Sequence, residues 1–299
     1  MDKQKIAVVT GSSSGIGFAT SLLLARNGFH TFATMRNTQK SEIIKEIANN
    51  ERLPLHVVQL DVNSDSSVKD AIENILVVGE TSEIKNKNEN KRIDVLVNNA
   101  GYELIGCVED LSIEEIKAQF ESNLFGMIRV SQAALPYMKN QMNGNSNSCS
   151  SVIVNISAIT GRISFPGISA YSSTKFAIEA FSESMSYELK PFGMNVVLIE
   201  PGTIKTNIMN SSITAKNALD SKYSHYRELT RKVYTVFKSM QEHAAPPEEV
   251  ARAILHAVST KNPKRRYLVG SAKDKMAIRL RPYISDNIFS LTVVKRMFG

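Results

Sequence analysis

With 299 residues, 42% of them hydrophobic and 22% charged, the chain has enough apolar material for a substantial core, and one α/β domain of this size needs no second. No apolar run approaches the ~20 residues of a membrane span. The opening Met1-Asp2-Lys3-Gln4-Lys5 lacks the pattern of a secretory signal, and Cys107 and Cys149 have neither metal-ligand nor disulfide-scaffold spacing, so a cytoplasmic setting is expected.

Residues 5 to 10, Lys-Ile-Ala-Val-Val-Thr, read as a short buried strand. Gly11-Ser12-Ser13-Ser14-Gly15-Ile16-Gly17 follows and opens a helical run from Phe18 to Ala25, ended by Asn27-Gly28. Glycines in such a turn let the backbone approach a pyrophosphate, and the free N–H groups and positive dipole end of the helix attract the anion. A turn with a purely structural job is the alternative. The next strand, His30 to Met35, delivers Arg36 nineteen residues after Gly17. An acidic side chain at this place binds a ribose 2′-hydroxyl and repels a 2′-phosphate, whereas arginine pairs with the phosphate, so Arg36 favours NADP(H) over NAD(H). Ser12 and Ser13 are further hydroxyl donors to that region.

Thr38 to Asn50 is an amphipathic helix, and Leu55 to Leu60 is a strand ending at Asp61, with a helix start at Asp65. The polar run from Glu80 to Arg92 reads as an exposed insertion. Ile93 to Val97 is a fourth strand leading to Asn98-Asn99-Ala100-Gly101, and Ile113 to Tyr137 is helical and carries Asn123. A second polar loop, Lys139 to Ser150, precedes the strand that ends at Ser157.

If Ala170 to Leu189 is a helix, Tyr171 and Lys175 share a face one turn apart, and an ammonium beside a phenol lowers the phenol's pKa from ~10 toward neutrality. Alone, that spacing equally fits a packed tyrosine beside a solvated lysine. Val196 to Glu200 is a sixth strand, followed by Pro201-Gly202-Thr203 and a segment containing Thr206, Ile208, Met209, Ile213, Tyr223, Tyr226, Val233, Tyr234, Phe237 and Met240. With Tyr102, Leu104 and Phe165, some of these suit the walls of a hydrophobic pocket. Positive charge is concentrated towards the end: residues 203–299 carry 18 Lys+Arg against 7 Asp+Glu, the rest 18 against 22. No nucleic-acid recognition motif accompanies it. Ile278 to Phe298 mixes apolar residues with Arg279, Arg281, Lys295 and Arg296 and reads either as a helix lying on a membrane surface or as one packed on the domain.

Thr10-Gly11-Ser-Ser-Ser-Gly15-Ile16-Gly17, Asp61-Val62, Asn98-Asn99-Ala100-Gly101, Asn123, Ser157, Tyr171-xxx-Lys175 and Pro201-Gly202, in this order, resemble the short-chain dehydrogenase/reductase family over nearly the whole chain. The resemblance implies a doubly wound parallel sheet of about seven strands in a single domain 1–299, with a substrate lid at 203–245 and a basic C-terminal extension at 272–299. It implies a catalytic set of Asn123, Ser157, Tyr171 and Lys175, with no metal: Tyr171 as acid or base, Ser157 on the substrate oxygen, Lys175 lowering the Tyr171 pKa, and Asn123 holding a relay water. It places a nicotinamide dinucleotide against Thr10, Gly11, Ser12, Ser13, Ser14, Gly15, Ile16, Gly17, Arg36, Asp61, Val62, Asn98, Ala100, Gly101, Tyr171, Lys175, Pro201, Gly202, Thr203 and Thr206. NADP(H) is the expected cofactor, with NAD(H) as alternative. The expected partners are a small carbonyl or alcohol substrate and a second copy of the chain in a homodimer or homotetramer. Ala33-Thr34-Met35-Arg36 and Arg266-Tyr-Leu-Val-Gly-Ser look like the branch of retinol and 17β-hydroxysteroid dehydrogenases, which implies a lipophilic substrate. The alternatives are a 3-oxoacyl-carrier-protein reductase, docking an acidic carrier on the basic third, and a non-catalytic nucleotide-binding scaffold or sensor.

Overall fold

The computed structural model describes residues 4–79, 92–139, 151–205, 212–218, 225–242 and 244–298. Its centre is a sheet made by the short apolar runs of the sequence: β1 (Ile6–Val9), β2 (His30–Met35), β3 (Leu55–Gln59), β4 (Val95–Asn98), β6 (Val152–Ile156), β7 (Asn195–Pro201) and β9 (Arg266–Val269). All seven are parallel and lie in the order β3-β2-β1-β4-β6-β7-β9. Helices α1 (Gly15–Arg26), α2 (Glu42–Asn50), α3 (Asp65–Val78), α4 (Ile113–Phe120), α5 (Gly126–Lys139) and α6 (Ser169–Leu189) make the crossovers.

Successive strand residues point to opposite faces, and both faces are covered, so the central strands are mostly apolar. Ile6 and Val8 join Phe32, Ile75, Leu96 and Ile153 on one side. Ala7 and Val9 join Leu24, Val97, Val154 and Ile199 on the other, where α8 (Pro247–Ser259) adds Val250 and Ile254. Each Val, Leu, Ile or Phe side chain among these, fully buried, contributes about 1.5–3 kcal/mol relative to exposure. The chain leaves β1 in one direction through β2 and β3 and in the other through β4, β6 and β7. The order therefore reverses between β1 and β4, and a crevice opens there at the carboxyl ends of the strands.

The expected helix over 113–137 is two helices joined by a π turn, Glu121–Phe125, with Asn123 in it. A two-stranded parallel sheet, β5 (Leu104–Ile105) with β8 (Ile213–Thr214), ties the segment after β4 to the chain beyond β7. Helix α7 (Arg227–Glu242) lies over the crevice and packs against α10 (Asp286–Phe298), and α9 (Ala272–Leu280) is separated from α10 by a 3₁₀ turn at Arg281–Tyr283. The C-terminal stretch is thus broken near Pro282 rather than continuous, and Val293 packs with Val233, Ile105 and Ile168. The polar insertions at 80–92 and 139–150 fall, except Arg92 and Lys139, outside the described residues. Among those described, no helix is long and apolar enough to cross a membrane.

Candidate active site

The turn between β1 and α1 has its left-handed positions at Gly11 (φ 69°) and Gly15 (φ 58°), where a side chain would be strained. Ser14 is the N-cap of α1, yet its side chain makes no capping bond, and the first turn holds no acidic residue. The leading amides of α1 are left for an anion. Thr10 Oγ1 accepts from Asn99 N (2.9 Å) and Ala100 N (3.0 Å), and Asn99 Nδ2 donates to Thr10 O (2.9 Å) and Gly11 O (3.2 Å), which locks the two loops together. Ile16, Asn99, Gly101, Pro201, Gly202 and Thr203 line the adjoining cleft. Arg36 is exposed at the end of β2. Asp61, at the end of β3, accepts from Asn63 N at 3.0 Å, while Ser64 rather than an aspartate caps α3. The Val62 carbonyl accepts from Arg129 Nη1 at 2.6 Å. An open helix terminus, two left-handed glycines and a cation beyond the second strand fit a dinucleotide.

Two expected contacts are placed elsewhere. Ser12 Oγ donates to Val9 O (2.9 Å) and accepts from Ser21 Oγ (3.0 Å), so its proton is spent inside the protein. Asn98 Nδ2 donates to Ser131 Oγ and Asn155 Oδ1, both at 2.9 Å, and braces β4 against β6 and α5. Strand alternation turns Asn98 inward and leaves Asn99 to line the cleft. Ser13 and Ser14 are half-buried in the turn. Thr206, with Ile208, Met209 and Tyr223, lies outside the described residues.

The cleft, continuous with solvent, spans about 990 Å³ with the open space at its mouth included, and Ser157, Tyr171 and Lys175 all line it. Lys175 Nζ donates to Ile156 O at 2.8 Å and lies 5.5 Å from the Tyr171 ring centre. Ser157 Oγ is buried with no hydrogen-bond partner among the described residues. A buried hydroxyl left unpaired costs ~1–3 kcal/mol unless a ligand or water completes it. Asn123 stands behind this lining: its Oδ1 accepts from Tyr102 N (3.0 Å), and its Nδ2 donates to Tyr102 O (2.9 Å) and Thr174 Oγ1 (3.2 Å). Its side chain is therefore committed to positioning. The π turn loosens main-chain carbonyls from the regular helical ladder at this point.

The electrostatics correct one expectation. Burial raises the Tyr171 phenol above its ordinary value, and the nearby Glu103 carboxylate raises it further. Burial lowers the Lys175 ammonium to about 8, against the opposing pull of Glu179 and Glu103. Proximity of Lys175 does not outweigh the desolvation of a phenolate in this protein.

Among the expected walls, Phe165, Tyr102, Phe237 and Met240 line the cleft. Leu104 instead packs with Ala170, Ala215 and Ala218, Val233 is fully buried, and Ile213, Tyr226 and Tyr234 are exposed. Two features escaped the sequence reading. Glu103 lines the cleft and accepts from Ser212 Oγ at 3.2 Å. Its one signal was a charge opening the apolar run Leu104-Ile105. Gly161 passes so close to Ser157 that a Cβ there would lie 2.7 Å from Ser157 Oγ, a contact no local pattern announces. Arg266 has a structural setting, paired with Glu179 (3.1 Å) and buried Glu200 (3.4 Å).

This arrangement can be set beside known proteins. Residues 5–217 match the short chain dehydrogenase family. The chain is 34% identical to YusZ, an uncharacterized oxidoreductase of Bacillus subtilis, over 99% of both chains. It is 32% identical to the NADPH-dependent 3-dehydrocapnine reductase of Ornithobacterium rhinotracheale, covering 95% of this chain and 96% of that one. A short-chain dehydrogenase from Streptomyces avermitilis superposes with a TM-score of 0.77 at 28% identity, over 98% of this chain and 97% of that one. With the sheet order, the crevice at its switch point and a match spanning β1 to β8, the chain belongs to the short-chain dehydrogenase/reductase family and is an oxidoreductase.

Proposed function

We propose that this enzyme moves hydride between NADP(H), taken in preference to NAD(H), and a hydrophobic ketone or alcohol. The observation that carries the reading is the buried Ser157 hydroxyl, unpartnered among the described residues, in the cleft that Tyr171 and Lys175 also line. The dinucleotide would be held by the α1 amides, Gly11 to Gly17, the Asp61-Val62 and Ala100-Gly101 segments, Lys175 and Pro201 to Thr203, and when bound supplies or takes the hydride. The chain's own residues handle the oxygen. In reduction, charge builds on the carbonyl oxygen and must be neutralised. Ser157 Oγ donates a hydrogen bond to that oxygen and fixes its direction, and Tyr171 Oη, whose raised pKa keeps it protonated, delivers the proton. Lys175, held on Ile156 O, stands beside the phenol as the next proton source. With the Asn123 amide spent on Tyr102 and Thr174, a relay water would rest on the main chain of the π turn. Oxidation follows the same path in reverse, with Tyr171 acting as base once its own proton has passed to Lys175 and the relay.

In this reading the chain is one catalytic domain, and Thr203, Ile204, Phe237, Met240 and Gln241 of its substrate lid line the cleft. Ile159, Ile168, Phe165, Ile204, Phe237 and Met240 make its walls largely apolar, which suits a lipophilic chain. Secondary alcohols and ketones of increasing chain length, assayed with each cofactor, test this: kcat/KM should rise with length and be higher with NADP(H). No turnover across the series with either cofactor would end the proposal.

Arg36 is the basis for the cofactor preference. Arg36→Asp exchanges a cation for an anion where the 2′-phosphate would lie and should weaken NADPH by at least ~10²-fold, as expected when a charge-assisted phosphate contact becomes repulsive, while changing NADH little. Fluorescence titration with both cofactors measures this, and an unchanged NADPH/NADH ratio would remove Arg36 from the site.

We also propose that the C-terminal helices touch an anionic membrane surface. Val293 and Phe289 pack inward, leaving Ile288, Leu291 and Val294 exposed beside Lys295, with Met276, Leu280 and Tyr283 exposed nearby among Arg279 and Arg281. Such a mixed apolar and basic face gains from both acyl burial and headgroup charge. The wild-type chain should float with phosphatidylglycerol-containing vesicles and the Ile288→Glu/Leu291→Glu variant should not. Equal recovery of the two would refute the contact.

A further inference from the structure

The proton path uses Tyr171, Ser157 and Lys175 and leaves one charged group of the same cleft without a task. Glu103 follows the Asn98-to-Gly101 turn and is anchored on both sides. Its carbonyl accepts from Ile213 N at 2.8 Å, and the next amide, Leu104 N, donates to Gln119 Oε1 at 2.7 Å. Glu103 lines the cleft together with Tyr171 and Lys175. Among the described residues its carboxylate has one hydrogen bond, from Ser212 Oγ, out of about four acceptor positions. No ion pair within 4.0 Å joins it to Lys175, whose Nζ is turned to Ile156 O.

A carboxylate with one hydrogen bond in a partly desolvated cleft is costly unless something pairs with it. We propose that Glu103 is the specificity-determining group of this cleft and binds an ammonium carried by the substrate next to its reacting oxygen. The inference rests on the hydride-transfer reading and extends it to a substrate class, long-chain amino ketones and amino alcohols. Glu103 is felt electrostatically by both the Tyr171 phenol and the Lys175 ammonium, so a cation seated on it lies close to the oxygen those groups serve. Burial raises Glu103 to about 7, and an arriving cation would draw it back to the ionised state. The apolar residues Phe165, Phe237 and Met240 remain for the alkyl chain.

The test compares 3-aminodecan-2-ol with decan-2-ol as substrates with NADP⁺, for wild type and the near-isosteric Glu103→Gln. In parallel, decylamine and decanol are titrated into the enzyme–NADPH complex and followed by nicotinamide fluorescence. Wild type should prefer the amino alcohol in kcat/KM by about 10²-fold, the scale for a buried charge pair, and Glu103→Gln should bring that ratio towards one. Decylamine should bind wild type at least ~10-fold more tightly than decanol, and Glu103→Gln should remove the difference. Turnover of both alcohols without discrimination, or an amino/plain ratio that survives Glu103→Gln, overturns the role of Glu103 and leaves hydride transfer standing. Absence of all turnover with Glu103-dependent decylamine binding supports Glu103 and overturns the hydride-transfer reading instead. Amine binding indifferent to Glu103→Gln overturns the assignment whatever the turnover.

Discussion

Tyr171→Phe should lower kcat by about 10³-fold while leaving dinucleotide affinity within a few-fold. The substitution removes the hydroxyl oxygen alone. The ring stays, and its packing against Ile105, Ile168 and Val233 stays with it, so the fold has no reason to respond. Positioned proton transfer contributes ~10² to 10⁴-fold, and no other titratable side chain offers itself for the same oxygen. Lys175 is turned to Ile156 O, and the Glu103 carboxyl, raised to about 7 by burial, is engaged by Ser212 Oγ. Two measurements on the same preparation decide it: single-turnover hydride transfer at saturating cofactor, and fluorescence titration of the cofactor. Retained turnover would mean that the phenol is only a packed tyrosine. Lost turnover with lost binding would mean that it holds the dinucleotide rather than moving the proton.

That experiment also bears on what a sequence can reveal of such a site. The central strands could be read because an interior parallel strand is mostly apolar on both faces, and the runs 6–9, 95–98 and 152–156 have few polar side chains to spare. Strand β9 did not announce itself: it is only half-buried and begins at Arg266, directly after Lys264-Arg265, so composition reads it as surface. Strands β5 and β8 have two residues each, too few for a period. The π turn around Asn123 is one extra residue in a hydrogen-bond register, which leaves no trace in hydrophobicity.

Within the cleft, residue types were legible and their orientation was not. Asn98 and Asn99 are chemically identical neighbours, and the pleat alone sends one into the sheet packing and the other to the cleft wall. Ser12 looks like a phosphate donor until its partners Val9 and Ser21 are known. The direction of the Tyr171 shift failed for a related reason. Spacing on a helix predicts the neighbouring charge of Lys175, whereas burial and a carboxylate sixty-eight residues upstream are tertiary facts, and they win.

Gly17→Ala should weaken dinucleotide binding by at least ~10²-fold and lower the melting temperature by several degrees, against the expectation from helix propensity. Gly17 is the third residue of α1, where alanine would ordinarily stabilise a helix by up to ~1 kcal/mol. Here the added Cβ would overlap the Gly11 carbonyl and lie 2.5 Å from Asn99 Nδ2. One neighbour is backbone in a left-handed turn, and the other is the amide that holds Thr10 O and Gly11 O, so neither yields cheaply. Overpacking of this kind costs ~1–3 kcal/mol, which outweighs the propensity gain. Relief requires α1 to move away from the Gly11 turn, and that movement pulls its leading amides off the anion. Because the site is built from the gap between these two glycines, affinity and stability should fall together. Thermal unfolding and cofactor titration of Gly17→Ala measure both, and an unchanged affinity would show that the helix terminus is not where the pyrophosphate sits.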